Sequence, residues 1–342
     1  MKESIPPLLV ALAVLSACAK VETAPSSPDG IAISFSPVLG SVKTKANATP
    51  GQDFKFYSYA WYLPDGRTWD SNKADAEPYI VNETVSNQDG KWKSPTNTYY
   101  WPRGGSLTFL SYSCLSGMTF YPDAFTGGDT KTTVDKDGLK IEKFLLAGND
   151  FDLLVADIAK DRRSDLNGVP TLLRHKLARV SLHVSTEESQ TQDKYVLTGL
   201  KLTNIYNQGD YSGGGYDNDT WSNRSETSDY AILSGNTLNV STDFQQVGSY
   251  VMVIPQNLLA TAQGGKDSER QAPKIHISYT RNGEDQTPID RELSGLGTNI
   301  WDRGKDYRYY IRFGSGDKPI DFSGSIGDWN DSNKSDINIG LQ

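Results

Sequence analysis

Apolar and polar residues alternate in short runs along most of the chain. Ile31-Ala-Ile-Ser-Phe35 puts Ile31, Ile33 and Phe35 on one face, the mark of a half-buried strand, and Pro37 is expected to close it. The same period of two recurs in Phe54–Tyr62, Leu107–Tyr112, Tyr195–Ile205, Ile275–Tyr279 and Tyr307–Phe313. Phe151–Ala156 and Ser249–Ile254 are nearly continuous apolar runs, as buried strands are. Leu172 to Val184 opens the second half and is expected to be strand from Leu177 on, with a front of either kind. Pro64-Asp65-Gly66 and Asn167-Gly168 are turn signals, and the Gly/Asp/Asn-rich stretch from Asp210 to Asn223 reads as a loop. Residues 41–51 are polar, contain Lys43 and Lys45, and read as an exposed, cleavable loop. No segment keeps a helical stripe for three turns. The chain is therefore expected to be all-β, with two sandwiches. The expected division is a tether at 18–30, an N-terminal domain at 31–166 whose first strand is 31–36, and a C-terminal domain at 167–342 whose last strand is 336–342.

The first 17 residues stand apart. An apolar run from Leu8 to Leu15 follows Met1-Lys2, too short to span a bilayer and of the right length for a secretory signal. Leu15-Ser-Ala-Cys18 resembles a bacterial lipobox, in which the cysteine is acylated and the chain is cut before it. The mature chain would begin at Cys18 and be held to a membrane by its lipid, since acyl chains contribute about 0.8 kcal/mol per buried CH2. The alternative is a plain secretory signal.

About 325 residues remain, enough for two domains. Tyr (18), Phe (11) and Trp (7) supply the apolar mass that a 37% apolar fraction would otherwise lack. The net charge is −8 with dispersed basic residues, so no basic stripe for nucleic acid exists. With Cys18 lipidated, Cys114 has no disulfide partner and reads as a small buried residue.

The residues do not assemble a catalytic or metal-binding pattern. On one continuous strand His175 and His183 would share a face about 26 Å apart, too far to share a metal, and are read as sheet-surface residues. Asp217-Asn-Asp219 and Asp328-Trp-Asn-Asp-Ser-Asn333 lack the Gly and final Glu of a calcium loop and read as solvated turns. Tyr211, Tyr216 and Trp221 are candidates for sugar stacking or for core packing. No cofactor and no metal are expected, and no enzyme activity.

The two terminal strands match. Ile337, Ile339 and Leu341 lie on one face of Asp336–Gln342, as Ile31, Ile33 and Phe35 do at the other end. A sandwich that loses its first strand exposes an apolar groove and an unpaired edge, which can take a strand from another chain. Head-to-tail exchange of this kind builds a filament. The alternative is a pair of ordinary edge strands.

Landmarks across the chain resemble the fimbrillins of Bacteroidales, subunits of type V pili. They are Lys91-Trp-Lys-Ser94, Thr98-Tyr-Tyr-Trp-Pro102, Gly105-Ser-Leu-Thr-Phe109 and Asp152-Leu-Leu-Val-Ala156, then His175–Val184, Val253-Ile-Pro-Gln256 and Trp301–Ile311. The resemblance implies two tandem antiparallel β-sandwich domains of transthyretin-like type. It also implies an outer-membrane lipoprotein precursor, lipidated at Cys18. A trypsin-like protease would cut after Lys43 or Lys45, before Ala46, where the family often has Arg. The strand holding Ile31, Ile33 and Phe35 would leave, and Ile337, Ile339 and Leu341 of another subunit would replace it. Three such side chains bury roughly 5–9 kcal/mol before ordering costs. Other pilus subunits are the expected partners, with a host or bacterial surface ligand, at the cell surface in a fimbrium. The alternative is a monomeric surface lipoprotein that binds glycan or host protein.

Overall fold

The computed structural model describes residues 30–40, 50–116, 119–120, 129–146, 151–187, 193–214, 218–259, 271–316 and 318–329. It is all-β, as the patterning predicts. The helices among these residues are one turn, Trp69–Asn72, and the 3-10 turn Lys73–Asp75 that follows it.

The first half is a ring of strands. Its members are β1 (Phe35–Gly40), β2 (Lys55–Leu63), β3 (Glu77–Gln88), β4 (Lys91–Lys93) and β5 (Ser106–Ser116). The hairpin β6 (Lys131–Asp135) and β7 (Gly138–Leu145) comes next in the chain, then β8 (Phe151–Ala156), β9 (Ala159–Arg162) and β10 (Val169–His175). Neighbours run β5-β2-β3-β4-β1-β10-β8, and β8 returns to β5 through Tyr112↔Val155 to Ser116↔Phe151. Among the described residues the ring is least closed where β1 meets β4, at the bridge Phe35↔Trp92.

The alternation within each wall strand explains why the ring is covered on both faces. On β2 and β5, Phe56, Ala60, Leu107 and Phe109 fill the ring interior, with Ile33, Phe35, Leu39 and Trp92. The opposite parity, Trp61, Leu63, Leu110, Tyr112 and Cys114, packs outward against a second layer made by Leu139, Ile141, Tyr211 and Trp221.

The second half contains β11 (Ala178–Thr186), β12 (Tyr195–Gly213), β13 (Thr220–Leu233), β14 (Gln245–Val253), β15 (Lys274–Arg281), β16 (Lys305–Phe313) and β17 (Asp321–Asp328). One sheet runs β14-β11-β16-β17, with β11 and β16 parallel; the other is centred on β12 and β15. Their inner faces meet in a core that includes Val180, Leu182, Val184, Leu197, Ile277, Tyr309 and Ile311.

Strand pairing does not divide at 166/167. β10 lies in the first ring, on β8 and β1, so residues 169–175 side with the N-terminal strands. The β6–β7 hairpin pairs instead with the far end of β12, through Gln208↔Leu145 to Gly213↔Leu139. The Asp210–Asn223 stretch is also not one loop. Tyr211 and Trp221 face each other across β12 and β13 and are both buried, which holds the polar residues around them in extended pairing.

Candidate functional site

The site is the slot that the first strand fills. Ile33, Phe35, Pro37 and Leu39 point inward at period two, and Ile31 is 48% exposed at the open end. The buried set is thus shifted two residues along from Ile31, Ile33 and Phe35. Phe35 meets Phe56 edge-on at 5.6 Å and Phe109 at 5.8 Å. Such contacts add to area burial.

β1 runs parallel to β10 from Phe35↔Val169 to Gly40↔Arg174. Just before it, the Val169 N–H donates to the Ser34 carbonyl at 2.8 Å, so even-numbered residues turn their backbone groups to β10. Odd-numbered residues turn theirs the other way: the Ile33 N–H donates to the Tyr99 carbonyl (2.8 Å), and the Trp101 N–H donates to the Ile31 carbonyl (2.9 Å). Pro37 is odd, so its missing donor faces away from the β10 ladder. The strand therefore passes through Pro37 to Gly40 rather than closing there, a correction to the expected span 31–36.

Two features shape the slot. Gly168 has φ +87° and lies against β1; a Cβ there would stand 2.7 Å from the Phe35 carbonyl carbon. Glu83 accepts hydrogen bonds from Ser94 (2.6 Å), Thr96 (3.2 Å), Asn97 (2.9 Å) and Tyr99 (2.7 Å), tying down the segment that pairs with Ile31 and Ile33. Partial burial raises the Glu83 carboxyl, but the four donors together outweigh it and hold the group below its ordinary value. Tyr99 is pushed up to about 12 by burial, then by the hydrogen bond to Glu83 and its charge.

The slot abuts a polar junction between the halves. Lys176 follows β10 directly and contacts Asp219, both at most 7% exposed. Tyr211 donates to Asp219 at 2.8 Å, and the Arg303 guanidinium stands 3.4 Å away. Trp221 Nε1 donates to the Lys176 carbonyl at 2.8 Å. Burial pushes the Lys176 ammonium below its ordinary value against the pull of Asp219. The Asp219 side chain is thus in a buried ion pair and not in a solvated turn.

His175 is 4% exposed, a correction to its reading as a surface residue. Its Nδ1 meets Asp152 at 2.6 Å and its ring lies on Trp329. His183 is on a different strand from His175, half-buried beside Tyr310. Cys114 is fully buried, and burial raises its thiol well above the ordinary range, so it is a packing residue. Tyr211 and Trp221 belong to the core and offer no sugar platform. Among the described residues no group of three or more His, Cys, Asp or Glu is placed to hold a metal. Among them, too, no helix is long and apolar enough to cross a membrane. Cys18, Lys43, Lys45, Ala46, Tyr216, Asp217, Ile337, Ile339 and Leu341 lie outside the described residues.

The second half repeats the slot's topology without its openness. β11, the first strand there, also runs parallel to a late strand, β16, but its other edge is laddered along β14 from Ala178↔Val253 to Val184↔Gln245. On that side the first strand has the bridges Ala32↔Tyr100 and Phe35↔Trp92, and among the described residues no ladder runs along Pro37 to Gly40.

A fimbrial protein from Bacteroides vulgatus is 20% identical, superposes with a TM-score of 0.60, and matches over 87% of this chain and 99% of its own. A candidate cell adhesion protein from Bacteroides uniformis is 16% identical with a TM-score of 0.50, over 89% of this chain and 100% of its own. At these identities the likeness concerns the fold. No curated protein matches the sequence. The family model described as fimbrillin-like matches residues 65–329. The chain belongs to the fimbrillin-like family.

Proposed function

We propose that this chain is a structural subunit of a cell-surface fimbrium that polymerises by strand exchange and contributes to adhesion. The carrying observation is how β1 is held. The first described strand, with the residues leading into it, inserts Ile33, Phe35 and Leu39 into the ring; β1 is laddered along β10, whereas the opposite edge is held only at Ile31–Ile33, by Tyr99–Trp101, and at Phe35, by Trp92. The slot cannot stand empty, because those three side chains bury roughly 5–9 kcal/mol of apolar surface. A strand of like pattern from a second copy restores that burial, and Ile337, Ile339 and Leu341 have it.

In this reading the precursor carries lipid on Cys18 and reaches the outer membrane. Cleavage after Lys43 or Lys45, before Ala46, frees the first strand, whose covalent tie to β2 then no longer holds it in place. The function needs neither catalysis nor cofactor. Family membership supports assembly with other fimbrial subunits at the cell surface.

The test is to cleave the chain beginning at Ala19 with trypsin and run it unboiled. A version truncated after Ser335 runs beside it. Ladders that require both the cut before Ala46 and the segment 336–342 are expected. A clean cut without ladders, or ladders from the truncated chain, refutes strand exchange and favours a monomeric surface lipoprotein that binds glycan or host protein.

A further inference from the structure

The strand that leads into the C-terminal segment is paired along one edge, with Phe322 packed against the core of its sandwich. Among the described residues β17 is the edge of its sheet and pairs with β16 alone. It contains Gly324 and Gly327, and all of its residues are exposed or half-buried, Ile326 at 46%. Its last rung is Lys305↔Asp328. A pull on the chain beyond that rung loads the rungs one at a time, and an edge strand under such a load separates progressively.

Trp329 follows that rung immediately, and it is 3% exposed. Its N–H donates to the Gly304 carbonyl at 3.0 Å. Its ring lies flat on His175, centroids 3.8 Å apart and planes 10° apart, with the Arg179 guanidinium 5.0 Å from its centroid. His175 is outside the sandwich that contains β17. It ends β10 and is bonded to Asp152 of β8, so both belong to the first ring. Trp329 therefore fastens the chain leaving the second sandwich onto the first ring.

We propose that Trp329 is a positioning residue and mechanical stop: it passes tension on the C-terminal segment into the end of β10, so that β17 is not peeled from β16. The inference rests on the strand-exchange reading for the source of that tension. β10 seats β1 along its edge and meets Trp329 at its end, so the slot and the root of the C-terminal segment share one strand. Load entering a subunit at the slot then leaves it by the shortest route, as shear across a buried stack.

Hydrogen exchange on the uncut monomer tests this and is read whether or not ladders ever form. Trp329→Ala should speed exchange of the 321–328 amides at least tenfold, with β2 and β14 unchanged. His175→Leu should reproduce the effect, and Trp329→Phe should remain within threefold of the native chain. Unchanged β17 amides in Trp329→Ala overturn the proposal. So does equal acceleration across the whole second sandwich, which would make Trp329 an ordinary core residue, or a Trp329→Phe chain as fast as Trp329→Ala.

Discussion

Removing the carboxylate of Asp219 should weaken the whole molecule, both halves together. Lys176 and Asp219 are 1% and 7% exposed, and the Asp219 side chain is fully buried. Asp219→Ala leaves a buried ammonium without its counter-charge and strips Tyr211 of its acceptor. Breaking one side of a buried ion pair costs about 3–5 kcal/mol. An orphaned buried hydroxyl costs about 1–3 kcal/mol by itself. The two overlap, because Arg303 and water relax toward the same space, so about 4 kcal/mol is the expected loss. The pair sits between the end of β10, the end of β12 and the turn before β16, so the loss should appear as one transition shifted to lower urea, seen alike by tryptophans of either half. Lys176→Met with Asp219→Leu removes both charges and should recover the ion-pair part of the loss, since apolar replacements of buried pairs are neutral or stabilising by about 1–4 kcal/mol, while Tyr211 stays without its acceptor. Asp219→Ala within 1 kcal/mol of the native chain, or a double variant no better than the single one, would refute the assignment.

Phe35→Ala should cost about 3–5 kcal/mol in urea unfolding, as aromatic truncations in packed cores do. Gly168→Ala pushes a methyl into the Phe35 backbone at a positive φ, and should cost about 1–3 kcal/mol, with hydrogen exchange speeding first at Phe35–Gly40. The Glu83 carboxyl is held below its ordinary value, so its contribution is full above the unfolded carboxylate pKa and fades as pH falls through the folded one. Glu83→Gln should blunt the acid-induced loss of protection at Ile33 and Trp101. Tyr99 has the opposite sense: its contribution holds below the ordinary tyrosine pKa and is lost as pH rises toward about 12, which absorbance titration of Tyr99→Phe checks by difference.

Much of the fold was legible because period two survives wherever one strand face is dry. β11 and β16 alternate cleanly since their inner faces meet a single core. The first strand was placed a little early because Pro37 reads as a terminator. Which side of a strand lacks an N–H is invisible until its partner is known, and here the lacking side faces away from the β10 ladder. Strand pairing runs across 166/167 for a related reason. Asn167-Gly168 has the chemistry of a linker, yet Gly168 packs against Phe35, and β10 carries the same alternation as any ring strand. His175 and Asp219 look like surface groups in the sequence because the residues that bury them, Trp329 and Lys176, lie 154 and 43 positions away in the chain. Short polar stretches give no hint of such contacts, whereas the aromatic pair Tyr211 and Trp221 was a usable sign that the loop around them was not solvated.

Locking the first strand in place tests strand exchange most directly. Leu39 and Leu173 are register partners on β1 and β10, both inward, at a separation that adjacent strands share with disulfides. In a chain beginning at Ala19, Leu39→Cys with Leu173→Cys adds a bond that only reductant opens, since Cys114 is buried. Trypsin should then cut the oxidised chain normally yet leave it monomeric, and ladders should form on reduction. Ladders from the fully oxidised chain would contradict departure of the first strand as the step that permits assembly.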